Sequence, residues 1–443
     1  MKGLKTFNRG GVHPPGKKYL SEQKPIKNAV ISDLSVVAMS QHLGSPSEPV
    51  VAPGDIVREG MLIGKSTGFI SGNIHSPVPG TVKEITDIYL PNGNISKAVV
   101  IEMEGEFDRL GKEVIETSWE HFSGKELIEI INSNGIVGLG GATFPANVKF
   151  SLPRGKKAEY LVINGVECEP YLTADHRLML EKSDQIIEGI KIISSIIKPE
   201  KLVIGIEINK ENAIQSIKDA AQRANLPLEV VSLKVKYPQG DEKQLLKAVT
   251  GKEVPSGALP MEIGCVVSNV GTVHAVYEAV VLGKPLIERV LTVSGGAIKN
   301  PQNLKVRVGT PIKSLIEECG GFTEKPVKVV VGGPMMGFTI YDLDTPVTKG
   351  TSGSLALTAR EVRGSSQTAC ISCGRCISAC PMGLNPTTLF KYIDHSDYDS
   401  AENNGLMDCK ECGSCGYVCL ARIPLIQGFR LGKRMLRTKK VKA

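Results

Sequence analysis

A multidomain α/β chain is what this sequence predicts, on three observations. Short β-prone runs broken by Gly, Pro, Asp and Asn fill the region after Val51. Strands and amphipathic helices alternate between Tyr160 and Val235. Eight of the eleven cysteines fall between Cys370 and Cys419. The expected order is an N-terminal arm with a β-rich sandwich domain (1–118), a doubly wound α/β domain (119–283), a β-grasp module (284–345), and an α-helical cysteine-rich domain with a basic tail (346–443).

The arm, through His13-Pro14-Pro15 and Lys24-Pro25, reads as extended, because proline fixes φ and removes a donor, and as having little chemistry of its own. The run VAPGDIVREGMLIGKSTGFISGNIHSPVPGTVKEI that follows resembles a biotinyl/lipoyl barrel-sandwich, with Gly54-Asp55 and Pro79-Gly80 at its turns. Such domains carry a modified lysine at a hairpin tip. Here the corresponding turn is near Gly68-Phe69 and Lys65 is out of register, so a structural domain is expected, with His75 as a turn residue. Ser123 reads as the N-cap of a helix through 132, with Leu127, Ile128 and Ile131 on one face. A strand over 160–163, a helix over 183–197, a strand over 202–208, a helix over 211–224 and a strand over 228–235 then make a parallel layer. Beyond Gly283, strands over 287–293 and 304–308, a helix over 311–318 and a strand over 327–331 give the ββαβ order of a β-grasp module. The stretch 345–369 reads as connection.

From Arg430 the tail holds seven basic residues and no acid, which equals the whole formal net charge of +7. The rest of the chain is balanced, which argues against a nucleic-acid-binding body. The tail, with Phe429, Leu431, Met435 and Leu436 interleaved, reads either as a segment for an anionic membrane surface or membrane partner, or as a solvated terminus. No stretch approaches the roughly 18 apolar residues of a spanning helix, and no apolar run follows the basic N-terminus. A soluble, cytoplasmic chain is expected.

Cys370, Cys373, Cys376 and Cys380 form one CxxCxxCxxxC run, closed by Pro381; Cys409, Cys412, Cys415 and Cys419 form another. This is the two-cluster spacing for 4Fe–4S centres, in which the fourth cysteine of each run serves the other cluster. The expected sets are Cys370, Cys373, Cys376 and Cys419 for one, and Cys409, Cys412, Cys415 and Cys380 for the other. Zinc fits CxxC pairs but not two identical four-cysteine runs as well, and a disulfide framework suits a short secreted chain instead.

Four further stretches bear on chemistry. In NGIVGLGGATFP (134–145) four glycines bare the backbone amides, which suits either a phosphate cradle or a structural turn. The dinucleotide pattern GxGxxG fails, since Thr143 stands where the third glycine belongs and the loop follows a helix. VINGVECEP places Asn164, Glu167 and Glu169 at a strand end, where open α/β sheets bind ligands, although a solvated acidic turn is the bland alternative. Cys168 between them reads as a small packed residue. Gly240, Asp241 and Glu242 stand at a helix start, where capping alone explains acids, and VVSNVGT ends a strand with Ser268 and Asn269.

In sequence order GLGGATFPANVK, NGVECEP, GDE and SNVGT resemble the flavin and nucleotide loops of the NADH-binding flavoprotein subunit of respiratory complex I, which makes 119–283 the FMN- and NADH-binding domain. The whole chain resembles the RnfC family, the C-type subunits of Rnf ferredoxin:NAD oxidoreductases, whose β-grasp module is of the SLBB type. The resemblance implies FMN, NAD(H) as substrate and two 4Fe–4S clusters. It assigns Gly138, Gly140, Gly141, Lys149, Asn164, Glu167, Gly240, Asp241, Asn269 and Thr272 to FMN, Phe144 to stacking on the nucleotide, and Glu169 and Glu242 to the neighbourhood of the nicotinamide. Leu139 and Val166 stand where the family has Arg and Asp, and Ser268-Asn269 replaces paired Asn. The implied function is hydride exchange between NAD(H) and FMN followed by one-electron transfer through the clusters, with no side chain as general acid or base. The implied partners are integral membrane and ferredoxin-like subunits of an ion-translocating complex, with the chain peripheral on the cytoplasmic face of the bacterial membrane. Cobalamin reductases of similar layout, and a relay or docking subunit with an empty nucleotide site, are the alternatives.

Overall fold

The structure is a computed structural model that describes residues 3–107, 116–362, 364 and 366–442. In the N-terminal domain two antiparallel sheets enclose Val37, Met39, Ile63, Ile74, Val82, Val99 and Ile101. One sheet holds Leu34–Ala38, Ile95–Met103, Gly80–Tyr89 and Ile56–Val57, and the other Glu48–Pro49, Leu62–Lys65 and Ile74–His75. Lys65 ends a strand, and the turn beyond it exposes Phe69 rather than a lysine. His75, expected in a turn, is instead buried in a strand opposite Leu62, because the turn falls later, at 77–79.

The helix Gly124–Ser133 begins at Ser123, whose hydroxyl accepts from Glu126 N–H while the Glu126 carboxylate accepts from Ser123 N–H. Four parallel strands follow, in the spatial order Leu228–Leu233, Lys201–Glu207, Tyr160–Asn164, Cys265–Asn269. The chain leaves Tyr160–Asn164 towards one side and returns to its other side, so the order reverses there and a crevice opens at the carboxyl ends. Asn164 and Asn269 are paired at that point. The helix Ser183–Ile197 buries Ile186, Ile187, Ile190, Ile193 and Ile197 as its spacing predicts. Two shorter helices, Ala146–Phe150 and Ala174–Glu181, carry too little apolar pattern to be legible locally.

The β-grasp strands Glu288–Ser294, Gln302–Arg307 and Lys328–Val331 and the helix Ile312–Glu318 lie as the order predicts, around Leu291, Leu304, Leu315 and Val329. Their sheet is larger than expected. Ile26–Asn28 of the arm pairs at one edge, and Gly353–Leu357, from the stretch expected to be connection, lies between Glu288–Ser294 and Lys328–Val331. Every residue of Gly353–Leu357 is buried, so it has no alternating pattern to advertise a strand.

The C-terminal domain packs the helices Pro386–Asp394, Tyr398–Asn403 and Leu425–Lys442 around Leu389, Ile393, Leu406 and Phe429. The basic tail is therefore a helix docked on this core by one face, while Leu431, Arg434, Met435 and Arg437 stay exposed. Phe429 and Leu436 are buried in this core; Arg430 and Lys433 pair with Glu411 at 3.1 and 2.8 Å, and Lys439 pairs with Asp399 at 2.8 Å.

Candidate functional site

The glycine loop is a closed hairpin. Val137 bridges to Pro145, Gly138 N–H donates to the Phe144 carbonyl at 2.8 Å, and residues 140–142 stand exposed at the tip, with φ of +108° at Gly141. Leu139 turns inward: its N–H donates to Thr272 Oγ1 at 2.8 Å and its carbonyl accepts from Arg289 Nη2 at 3.4 Å. A Cβ on Gly140 would lie 3.2 Å from the Asn269 side chain, so glycine lets the loop approach. Asn269 accepts from Gly271 N–H at 2.8 Å and donates to Asp175 at 2.7 Å. Gly138, Gly140, Gly141, Phe144, Asn269 and Thr272 thus gather at the first turn of the helix Val270–Val281, the end that favours an anion.

A second group lies across the strand-order reversal. Asn164 Nδ2 donates to the Gly240 carbonyl at 2.9 Å. Asp241 caps Glu242–Thr250 by accepting from the N–H groups of Lys243 and Gln244, and Lys149 pairs with Glu242 at 2.9 Å. Burial holds the Asp241 carboxyl above its ordinary value, with Lys410 opposing. Ser268 Oγ, next to Asn269 in the chain, is buried with no hydrogen-bond partner, while Gln239, next to Gly240, turns its amide to the arm, where its oxygen accepts from Thr6 Oγ1 at 2.7 Å. An orphan such as Ser268 Oγ is rare in a core and marks a place where a further polar group belongs, which fits a bound flavin.

Glu167 and Glu169 diverge. The Glu167 carboxylate accepts from Asp175 N–H at 2.7 Å and His176 N–H at 3.2 Å, capping Ala174–Glu181. Glu169 accepts from Met335 N–H and Met336 N–H, each at 3.0 Å, and lies 3.4 Å from the Tyr237 hydroxyl oxygen; burial pushes its carboxyl up to about 7. Its carboxylate is engaged where the α/β layer meets the loop after Val331. Cys168 is packed, as its size suggests: its sulfur accepts from Gly240 N–H at 3.3 Å, and burial pushes the thiol up.

Two cations that no local pattern reveals hold this acidic loop. Lys18, buried in the arm, donates to the carbonyls of Glu167, Glu169 and Leu172 at 2.8, 3.1 and 2.6 Å. Lys210 donates to the Val166 carbonyl at 2.7 Å and faces Glu207 at 3.6 Å. The arm thus helps hold the loop of Glu167 and Glu169, a structural part that its proline-rich sequence does not show.

The cysteine runs repeat one backbone conformation. Ser372 and Glu411 have φ of +52° and +54°, Gly374 and Gly413 have φ of +70° and +81°, and each glycine starts a short helix, Arg375–Ala379 or Ser414–Val418. Cys380, Cys409, Cys412 and Cys415 line one cavity, closed by Pro381, Leu384, Leu389, Ile426 and Phe429. Leu384 N–H and Glu411 N–H reach the sulfurs of Cys380 and Cys409, each at 3.4 Å. Burial pushes up the Cys415 thiol, with Cys409, Cys412 and Cys380 adding to the effect. A soft four-sulfur set in an apolar wall with amide donors suits an iron–sulfur cluster. Cys370 and Cys373 are exposed, and Cys376 and Cys419 half-buried.

The four-cysteine cavity abuts the α/β layer. Tyr237 OH donates to the Cys412 carbonyl at 2.7 Å, Gly11 N–H donates to the Ala379 carbonyl at 2.9 Å, and Val12, Tyr237, Ala379 and Cys412 pack together with Cys168 and Met335.

Comparison with known proteins agrees with this layout. Family models described as RnfC barrel sandwich hybrid domain, Nuo51 FMN-binding domain, SLBB domain and 4Fe-4S dicluster domain match residues 5–106, 131–278, 290–339 and 364–420. The chain is 48% identical to the C-type subunit of the proton-translocating ferredoxin:NAD(+) oxidoreductase complex of Clostridium ljungdahlii, over 96% of this chain and 93% of that protein. It is 42% identical to the Na(+)-translocating counterpart of Acetobacterium woodii, over 97% and 96%. An NAD+-reducing NiFe hydrogenase structure, 16% identical, shares the fold with a TM-score of 0.52 over 70% of this chain and 62% of that one.

Proposed function

The chain belongs to the RnfC family, the C-type subunits of ion-translocating ferredoxin:NAD(+) oxidoreductase complexes, and on that footing we propose that it is the subunit through which such a complex exchanges electrons with NAD(H). Its cofactors are FMN and two 4Fe–4S clusters. FMN, when bound, exchanges a hydride with the nicotinamide and single electrons with the clusters. The chain's own task is to hold and orient. The amides of Gly140 and Gly141 and the start of Val270–Val281 receive the anionic part of the cofactor. Asn164, Gly240 and Asp241 line the other side, and Phe144 and Glu242 stand towards the nucleotide, whereas the Glu169 carboxylate is turned to Met335, Met336 and Tyr237. Lys18 and Lys210 keep the loop between the two sides in shape.

The set Cys380, Cys409, Cys412 and Cys415 is the inner one, beside the flavin layer, and Cys370, Cys373, Cys376 and Cys419 form the outer one. Exposure of Cys370 and Cys373 suits delivery to a partner, for which we assign integral membrane and ferredoxin-like subunits of the complex. Among the described residues no helix is long and apolar enough to cross a membrane, and the reading is peripheral attachment on the cytoplasmic face, through those partners. The limits 1–118, 119–283, 284–345 and 346–443 serve as the working division of the chain.

The observation that carries this reading is the direct contact of the inner cysteine set, through Cys412, with the loop leading to Gly240 and Asp241. Absorbance of the anaerobically reconstituted chain tests it. Flavin bands and the broad cluster band should both bleach on adding NADH, whereas cluster absorbance that ignores NADH would leave only an electron relay.

A further inference from the structure

We infer that Arg289 and Thr272 clamp the two peptides flanking Leu139, so that the glycine loop presents its amides to the anionic part of FMN and the β-grasp module becomes part of the flavin site. The inference rests on the flavin reading above; it adds Arg289, which that reading does not assign, and gives Thr272 a part in holding the loop peptide. Arg289 lies on the strand Glu288–Ser294, outside the α/β domain, yet its guanidinium is buried under the loop.

A trans peptide is planar, so its N–H points opposite to its C=O. The Leu139 carbonyl points inward to Arg289 Nη2, and the N–H in the same plane is that of Gly140, which therefore points outward at the exposed tip. The preceding plane is held from the other side, since Leu139 N–H donates to Thr272 Oγ1. Glycines on either side of Leu139 would otherwise leave these planes free to rotate, and ordering them on binding would cost affinity.

Arg289 is itself anchored. Its Nη1 donates to the Lys349 carbonyl, and Lys349 Nζ donates to the carbonyls of Gly135 at 2.8 Å and Asn73 at 2.7 Å, so the base of the same loop is tied to the same strap. Asp175, the carboxylate that faces Arg289, is bonded to Asn269, against which Gly140 rests. Burial lowers the guanidinium to about 10, which leaves it cationic at neutral pH. The Asp175 carboxylate offsets part of this charge, so the guanidinium acts first by fixing the peptide and only its remaining field reaches the tip.

The test titrates FMN into the full chain, reconstituted with its clusters and stripped of flavin, following quenching of flavin fluorescence. Arg289→Met is expected to weaken FMN binding at least tenfold with iron content unchanged, and Arg289→Lys, which keeps the charge, to bind at least threefold tighter than Arg289→Met. Thr272→Val, which unpins the other peptide, should also weaken binding at least tenfold, and it decides the matter if Arg289→Met does not fold. Variants that bind FMN within threefold of the wild type overturn the clamp, and equal affinity of the Met and Lys variants overturns the part played by charge. A wild-type chain that takes up no FMN sinks the flavin reading and the clamp together.

Discussion

The Tyr237 hydroxyl donates a 2.7 Å hydrogen bond to the carbonyl of Cys412, joining the loop that leads to Gly240 and Asp241 to a cysteine of the inner set. Tyr237 is buried, so its loss leaves that carbonyl without a donor and without water. Tyr237→Phe should cost about 1–3 kcal/mol in stability by denaturant unfolding. It should also alter the paramagnetic signal of the inner cluster while leaving the outer one as it was. Unaltered signals from both would mean that this contact does not tune the cluster.

Crossed ligand sets give the second prediction. Cys380 lines the cavity of Cys409, Cys412 and Cys415, so its counterpart Cys419 should complete the set of Cys370, Cys373 and Cys376. Cys419→Ala is expected to remove or convert the outer cluster alone, read by paramagnetic resonance and iron content. Damage confined to the inner cluster would falsify the assignment.

Glu169 receives two backbone N–H groups from the loop after Val331 and lies 3.4 Å from the Tyr237 hydroxyl oxygen. Glu169→Gln keeps the shape but replaces one acceptor oxygen by a donor, which sets two N–H groups against each other. In stopped flow, reduction of the flavin by NADH should stay within threefold while passage of electrons to the clusters slows about tenfold, a barrier increase of about 1.4 kcal/mol. The reverse pattern, slow flavin reduction with a normal second step, would place Glu169 at the nicotinamide.

Lys349 supplies a pH dependence. Its ordinary value is 10.5, and burial pulls it down to about 7. Between those values the folded chain binds fewer protons than the unfolded one, so this group's contribution to stability rises as pH rises from about 7 to 10.5 and is lost as pH falls towards 7. Lys349→Met removes the titration. The stability of the wild type relative to Lys349→Met should therefore increase between pH 7 and pH 10 in thermal or denaturant unfolding, and a constant difference would contradict the burial argument.

Local chemistry was legible in the sequence. Thiolate spacing declares a cluster because ligand geometry demands it, the pair Ser123 and Glu126 declares a helix start, and the isoleucines of Ser183–Ile197 declare a buried face, since each signal lies within a turn or two of chain. The glycine loop was visible for the same reason, although its burden was not. What the tertiary structure alone decided depends on segments far apart in the chain. Lys18 from the arm holds the carbonyls of Glu167, Glu169 and Leu172, Arg289 from another module reaches the peptide of Leu139, and the small buried residues of Gly353–Leu357 become a central strand. The basic tail shows the limit most plainly, because its charges look free in the sequence and three of them, Arg430, Lys433 and Lys439, find Glu411 and Asp399 in the fold. A buried cation must be matched by whichever carbonyls or carboxylates the fold brings to it, and that match is a property of contact in space, which spacing along the chain does not encode.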